Sequence, residues 1–257
     1  MSSSPPPAST AADQADTLAR LLKQSKCTVA LTGAGISVPS GIPDFRTPGE
    51  GIWEKVDPME VAHIDAFRRD PARFWGFYRQ RMEMLGDKEP NRAHEVLAEL
   101  ERRGLLEAVI TQNIDTLHTK AGSEHVIEVH GSIRTSSCQS CGAEYETSDV
   151  DALFGGDGAA VCSQCGGPVK PDVVLFGELL PAEAMAEAQA LAERAELMLC
   201  VGSSLEVFPV AGLPSLTRTS GGHIAVITIG PTPFDADAVV RMGGDVVADL
   251  DAVLAAL

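Results

Sequence analysis

The apolar stretch 27–31 runs straight into Gly33-Ala34-Gly35-Ile36-Ser37-Val38-Pro39-Ser40-Gly41-Ile42-Pro43-Asp44-Phe45-Arg46, a loop too rich in glycine and proline to continue as a regular element. A strand that delivers small residues at its C-terminal end is the ligand-binding arrangement of open α/β sheets. Gly33 and Gly35 let backbone N–H groups approach a phosphate, Ser37 and Asp44 add hydrogen-bonding groups, and Arg46 can pair with a pyrophosphate. The ligand these residues suit is a dinucleotide. The G-x-G-x-x-G fingerprint nevertheless fails, because Val38 stands where its third glycine belongs, and a plain dehydrogenase is disfavoured. Taken alone, the loop reads equally as a ligand-free turn.

The same pattern recurs along the chain. Stretch 106–111 reads as a buried strand ending in Thr111-Gln112-Asn113-Ile114-Asp115-Thr116-Leu117-His118, and stretch 126–129 ends at His130-Gly131. Stretch 197–201 ends in Gly202-Ser203-Ser204-Leu205, 224–229 leads into a Pro231-Thr232-Pro233 loop, and 173–176 is extended. Helical spacing of apolar residues covers 13–24, 91–103, 182–195 and 246–257, and an aromatic-rich helical pattern covers 53–85. Strands alternating with helices predict an α/β fold with a mostly parallel sheet whose strand ends converge.

At 257 residues and 44% hydrophobic content the chain can bury a real core. A formal charge of −16 argues against nucleic acid as a partner and favours basic ones, although the same charge also serves solubility. Residues 1–14, rich in Ser, Pro and Ala, read as a disordered tail without the pattern of a signal peptide. No apolar run approaches the roughly 20 residues that span a bilayer. The expected location is cytoplasmic, with no membrane partner.

Cys138-x-x-Cys141 and Cys162-x-x-Cys165 interrupt the α/β rhythm with the spacing of a four-thiolate zinc ribbon. The segment between them is Gly- and Asp-rich and has little core of its own, so a metal worth an apparent ~10–16 kcal/mol would hold it together. Four thiolates leave no position for water, which makes the zinc structural. Two disulfides are the alternative, disfavoured without a secretion signal. Among six histidines, His130 stands at a strand end beside a glycine and is the general-base candidate, set against a purely structural histidine. His94, like His63, His125 and His223, reads as structural, and His118 as a local hydrogen-bonding residue.

Taken together, Gly33-Ala34-Gly35-Ile36-Ser37, Gly41-Ile42-Pro43-Asp44-Phe45-Arg46, Thr111-Gln112-Asn113-Ile114-Asp115, His130-Gly131, the two Cys-x-x-Cys pairs, Phe176-Gly177-Glu178 and Gly202-Ser203-Ser204-Leu205 occur in the order seen in sirtuins, and from about residue 16 onward the chain resembles that family. The resemblance implies a Rossmann-like NAD domain (15–134 and 171–257) with a small inserted zinc domain (135–170). It implies NAD-dependent removal of acyl groups from lysine, with nicotinamide and O-acyl-ADP-ribose as products. His130 would take a proton from a ribose hydroxyl. Asn113 and Asp115 would hold the carboxamide and ribose, Ser37 would line the nicotinamide pocket, and Phe45 would shield the reacting carbon from water. Arg46, Ser203 and Ser204 resemble the phosphate and ribose contacts; Ala34, Ile42, Gln112, Ile114 and Gly202 belong to the same cofactor loops.

An acyl-lysine protein segment would bind as an added strand between 174–178 and 204–209, with Val174, Phe176 and Val207 lining the acyl channel beside Gly177 and Glu178. Tyr78 and Arg81 resemble the Tyr-x-x-Arg pair that, in one sirtuin class, meets the carboxylate of succinyl- or malonyl-lysine; a surface helix with chance spacing is the alternative. Thr228 stands where many sirtuins carry an Asn at the adenine ribose, followed by Ile229 and Gly230, and Val246 falls near the adenine. Acyl-CoA synthetases are protein substrates that the family suggests. The competing readings are mono-ADP-ribosyl transfer and a non-enzymatic zinc-ribbon interaction module.

Overall fold

In the computed structural model, which describes residues 10–44 and 57–257, strand β1 (Thr28–Thr32) is buried along its whole length. A strand covered on both faces needs neighbours on both edges and helices above and below. β1 pairs in parallel with β2 (Ala108–Thr111) on one side and with β7 (Leu197–Val201) on the other. β3 (Val126–Glu128) extends the sheet beyond β2, and β8 (His223–Ile227) and β9 (Val240–Met242) extend it beyond β7. The order β3-β2-β1-β7-β8-β9 is that of a doubly wound, Rossmann-like sheet. Its winding reverses between β1 and β7, which opens a crevice at their C-terminal ends.

Alternate strand residues feed opposite cores. Ala30, Val109 and Leu199 pack with α1 (Ala11–Gln24), α5 (Arg92–Arg102) and α9 (Val246–Ala255), whereas Leu31, Ile110 and Cys200 pack with α7 (Ala182–Arg194) and α8 (Leu213–Thr219). Burial at about 1.5–3 kcal/mol per large apolar side chain outweighs exposed ion pairs such as Arg92–Asp251, worth about 0.2–1 kcal/mol each.

The start of α1 corrects the expected tail of 1–14. Thr10 Oγ1 accepts the Asp13 N–H (3.2 Å) and the Asp13 carboxylate accepts the Thr10 N–H (2.9 Å), a capping box that makes 11–14 helical. Residues 1–9 of that tail, and the predicted site residues Phe45 and Arg46, lie outside the described residues.

A second, antiparallel sheet holds β5 (Glu144–Glu146), β4 (Gly131–Cys138) and β6 (Val169–Val173) in that order. The described part of the aromatic stretch forms three helices, α2 (Pro58–Val61), α3 (Ile64–Arg69) and α4 (Pro71–Gly86), capped by Asp57, His63 and Asp70, with Pro58 and Pro71 starting two of them. α4 lies on the second sheet, where Phe74, Trp75 and Met82 pack against Ile133, Val169 and Val173 and Trp75 Nε1 donates to the Val169 carbonyl (2.9 Å). The short α6 (Leu117–Lys120) follows the loop after β2. Among the described residues, no helix is long and apolar enough to cross a membrane.

Candidate active site

The loops after β1 and β7 cross backbone to backbone. Gly33 N–H donates to the Val201 carbonyl (3.1 Å) and Gly35 N–H to that of Gly202 (2.8 Å). A Cβ on Gly35 would stand 2.8 Å from the Gly202 oxygen, and one on Gly202, at φ +61°, would stand 2.2 Å from the Ile36 nitrogen. Only glycine allows this approach. Half-buried Ala34 opens a 3₁₀ turn that leads to buried Ser37, and buried Ile42 returns its N–H to the Ser37 carbonyl (3.4 Å). Asp44 is the last described residue of the loop.

The loop after β2 ties these two together. Asn113 Nδ2 donates to the Gly33 carbonyl and to Ser37 Oγ (3.1 Å each), and Ser37 Oγ donates to Asp115 Oδ2 (2.7 Å). Gln112 Nε2 reaches Ser203 Oγ (3.0 Å), which also accepts the Leu205 N–H (3.2 Å); Ser204 beside it is exposed. Ile114 packs partly buried against the α4 cluster.

Beneath this network lie two histidines to which the sequence assigned no part in the site. His94 Nδ1 accepts the Asn91 N–H (3.3 Å), so its Nε2 carries the hydrogen and faces Ser37 Oγ at 3.4 Å. His118 Nε2 is 2.9 Å from Thr32 Oγ1, and the two rings meet edge to face at 4.9 Å. Burial drives both pKa values down, to about 4 at His94, and the neighbouring Asp115 charge opposes the shift there. The sequence does mark Asn91-x-x-His94 as a helix start, but a cap does not reveal which way its histidine points.

His130 follows β3 and turns the chain into β4. Gly131 makes that turn at φ +74°, where a Cβ would stand 2.0 Å from the Asp172 oxygen. His130 Nδ1 lies 3.0 Å from the Gln112 carbonyl, which can only accept, so Nδ1 carries the hydrogen and Nε2 keeps its lone pair. Burial lowers its pKa, against the pull of that hydrogen bond. The His130 carbonyl accepts the Val174 N–H (2.8 Å), which joins the base candidate to the expected peptide segment.

Along that segment β6 ends at Val173, earlier than the extended 173–176 that the sequence predicts, because Phe176 pairs instead with 62–64: its N–H donates to the Ala62 carbonyl (2.8 Å) and its carbonyl accepts the Ile64 N–H (3.0 Å). Val174 and Val207 are half-buried, and Phe176 is 47% exposed. The Glu178 carboxylate turns inward, taking the Leu175 N–H (2.9 Å) and lying 3.2 Å from Nζ of buried Lys170, a residue the sequence did not single out. Its side chain is thereby committed, as is its N–H, which donates to the Leu175 carbonyl (3.0 Å).

Tyr78 and Arg81 sit on the inward side of α4. Tyr78 is buried and stacked on Phe74 (4.3 Å), and burial pushes its phenol up to about 12, with opposing Arg81 and reinforcing Glu178 contributions. Burial lowers the Arg81 pKa, while the charges of Tyr78 and Asp115 raise it. Exposed Arg79 is the surface member, bridging Glu83 and Asp151.

The loop after β8 is held from beneath. The Arg241 guanidinium donates to the carbonyls of Thr228 (2.7 Å), Met242 (2.5 Å) and Gly230, and pairs with Asp235 (3.0 Å). Thr228 is buried, Ile229 is exposed and Gly230 takes φ +84°. The Val246 side chain packs in the core with Ile36, at the start of α9, which Asp245 caps.

Ligand atoms of Cys138, Cys141, Cys162 and Cys165 all lie within 4.8 Å of one another, with Sγ separations of 3.5 Å (Cys138–Cys165) and 3.7 Å (Cys141–Cys162). A tetrahedron with zinc–sulfur bonds of ~2.3 Å has edges of ~3.8 Å. The N–H groups of Ser140, Gln164 and Gly167 each point at a sulfur (3.4 Å), and Tyr145 Oη meets Cys162 Sγ (3.0 Å), as suits thiolates. All four are free cysteines, and the set fits one structural zinc.

A profile of the Sir2 family matches residues 33–209. A Thermotoga maritima protein named NAD-dependent protein deacetylase is 46% identical over 227 residues, covering 88% of this chain and 92% of its own length. One from Thermococcus sibiricus, named NAD-dependent protein deacylase, is 44% identical over 230 residues, covering 86% and 89%. A solved Sir2 structure with a deacetylated p53 peptide and 3′-O-acetyl ADP-ribose superposes with a TM-score of 0.88 at 44% identity, over 93% of this chain and 96% of that one. With a family match over more than half its length and relatives at this identity, the chain belongs to the Sir2 family.

Proposed function

We propose that this protein is an NAD-dependent protein lysine deacylase that moves the acyl group to ADP-ribose and releases nicotinamide, with 15–134 and 171–257 as the nucleotide domain and 135–170 as the zinc module. The carrying observation is His130: its Nδ1 hydrogen is spent on Gln112 and its Nε2 lone pair is kept, where the amide loop and the peptide segment meet. The names of the relatives support the reaction, and the solved relative holds a deacetylated peptide beside an acetylated ADP-ribose, the pair such a transfer would leave.

NAD fits the crevice by its lining: two glycine loops that admit close approach, the amide oxygen of Asn113, whose Nδ2 is spent on Gly33 and Ser37, and the hydroxyls of Ser203 and Ser204. Bound there, it supplies an electrophilic ribose carbon. Asn113 and Asp115, held by Ser37 and Gly33, orient the amide and ribose, and His130 Nε2 receives a ribose hydroxyl proton. Burial lowers the His130 pKa, which keeps that nitrogen bare at neutral pH. The acyl-lysine segment lies along 174–178 and 204–209, acyl-CoA synthetases being one protein class it could come from. Buried Tyr78 with Arg81 reads the carboxylate of succinyl or malonyl groups.

Nicotinamide release from acetyl-, succinyl- and malonyl-lysine versions of one peptide tests this. His130→Ala should slow all three by about 10²–10⁴-fold, and Arg81→Met should lose the acidic acyl groups while keeping acetyl. A wild type acting on acetyl-lysine alone would make the Tyr78–Arg81 pair structural, and no release with any peptide would sink the deacylase reading.

A further inference from the structure

We infer that Lys170 is a positioning residue for the acyl-peptide: with Glu178 it forms a buried latch that fixes the 174–178 shelf, an inference that rests on the deacylase reading. Lys170 is 5% exposed, and an ammonium persists at such a place only with partners for its hydrogens. It has three hydrogens and three acceptors: the carbonyls of Pro171 (2.9 Å) and Val173 (2.8 Å), and Glu178 Oε2 (3.2 Å). Two of these contacts lie within β6. The third reaches beyond the strand end to the far side of a turn.

That turn is closed twice. Glu178 N–H donates to the Leu175 carbonyl (3.0 Å), and Leu175 N–H donates to the same Glu178 oxygen that faces Lys170 (2.9 Å). Gly177, third of the four residues at φ +86°, gives the turn its type II form. On one flank Phe176 pairs with Ala62 and Ile64, and on the other Val174 N–H bonds to the His130 carbonyl. The shelf is thus suspended between α3 and the base candidate, with Lys170 as the charge that holds Glu178 inside. Without the ammonium, the Glu178 carboxylate gains more by turning to water, and the Leu175 N–H loses its acceptor. The nucleotide loops are tied by a separate set of bonds, through Asn113, Gln112 and Gly202.

The latch therefore separates the two substrates. Steady-state nicotinamide release with an acetyl-lysine peptide, together with anisotropy of the labelled peptide, should give Lys170→Met an about tenfold higher KM and Kd for peptide, with KM for NAD within about twofold of wild type. Lys170→Arg should restore peptide affinity, and Glu178→Gln, which keeps an acceptor for Leu175 but removes the charge, should fall between. Should Lys170→Met fold poorly, Glu178→Gln carries the same comparison. Unchanged peptide KM in both variants, or equal loss for peptide and NAD, overturns the latch and leaves a merely structural lysine. A wild type that neither binds the peptide nor releases nicotinamide overturns the deacylase reading and the latch together.

Discussion

His94 and His118 occupy the space beneath Ser37 and Asp115 as neutral rings, because an imidazolium there would lose its hydration without a compensating anion of its own. As the pH falls, the unfolded chain takes a proton on each ring near 6.5, whereas folded His94 resists until about 4. The stability this arrangement contributes is whole above 6.5 and is lost as the pH drops toward 4. The melting temperature should be lower at pH 5 than at pH 7.5, and less so in His94→Gln; an equal drop in that variant would place the acid sensitivity elsewhere. In the proposed mechanism His130 acts through an unprotonated Nε2, and the same burial then keeps the acid limb of kcat/KM below 6.5. Residue placement was legible where a motif dictates it: Ser37 and Asn113 meet, and the four cysteines cluster. It was not legible at Lys170 or His94, because the partners that give them meaning are carbonyls and side chains far along the chain.

At the scale of elements, the sequence signalled the strands that are apolar on both faces: β1, β2, β7 and β8. Strand β4 escaped because Ser, Thr and Arg dominate it, and β9 because Arg241 interrupts its apolar residues. The helical pattern of the aromatic stretch does not show its breaks, because apolar residues continue across His63 and Asp70, whose capping divides it. The turn between β3 and β4 is the least forgiving junction. Gly131→Ala adds a left-handed penalty to an overlap with the Asp172 carbonyl, and should cost about 2–4 kcal/mol in urea unfolding. Gly158→Ala, equally left-handed at φ +86° but with open space, should cost about 1–2 kcal/mol. Equal losses for the two would mean that the turn yields where the geometry says it cannot.

For the molecule as a whole, the doubly wound sheet has its own two cores, and the second sheet depends on α4 from one side and on the cysteine cage at its end. Chelation should therefore act in sequence. Amide exchange is expected to accelerate first across 138–169, with β1, β2, β7 and β8 still protected, and nicotinamide release should fall because Val174 and Gly131 join that sheet to His130. Simultaneous loss of protection in both sheets would show one cooperative unit instead. The parallel sheet and the four-thiolate cage were both readable from sequence. Their coupling was not, since it runs through β4, which begins directly after His130 and ends in Cys138. That strand is irregular against β6 between Gly131 and Ser136 and regular from Ser136 to Cys138. A residue gained or lost in the regular part would reverse the facing of Cys138 and take its thiolate out of the cage. Descendants of this gene are free to lengthen or shorten 156–158, where Gly156 and Gly158 face open space, but not 136–138.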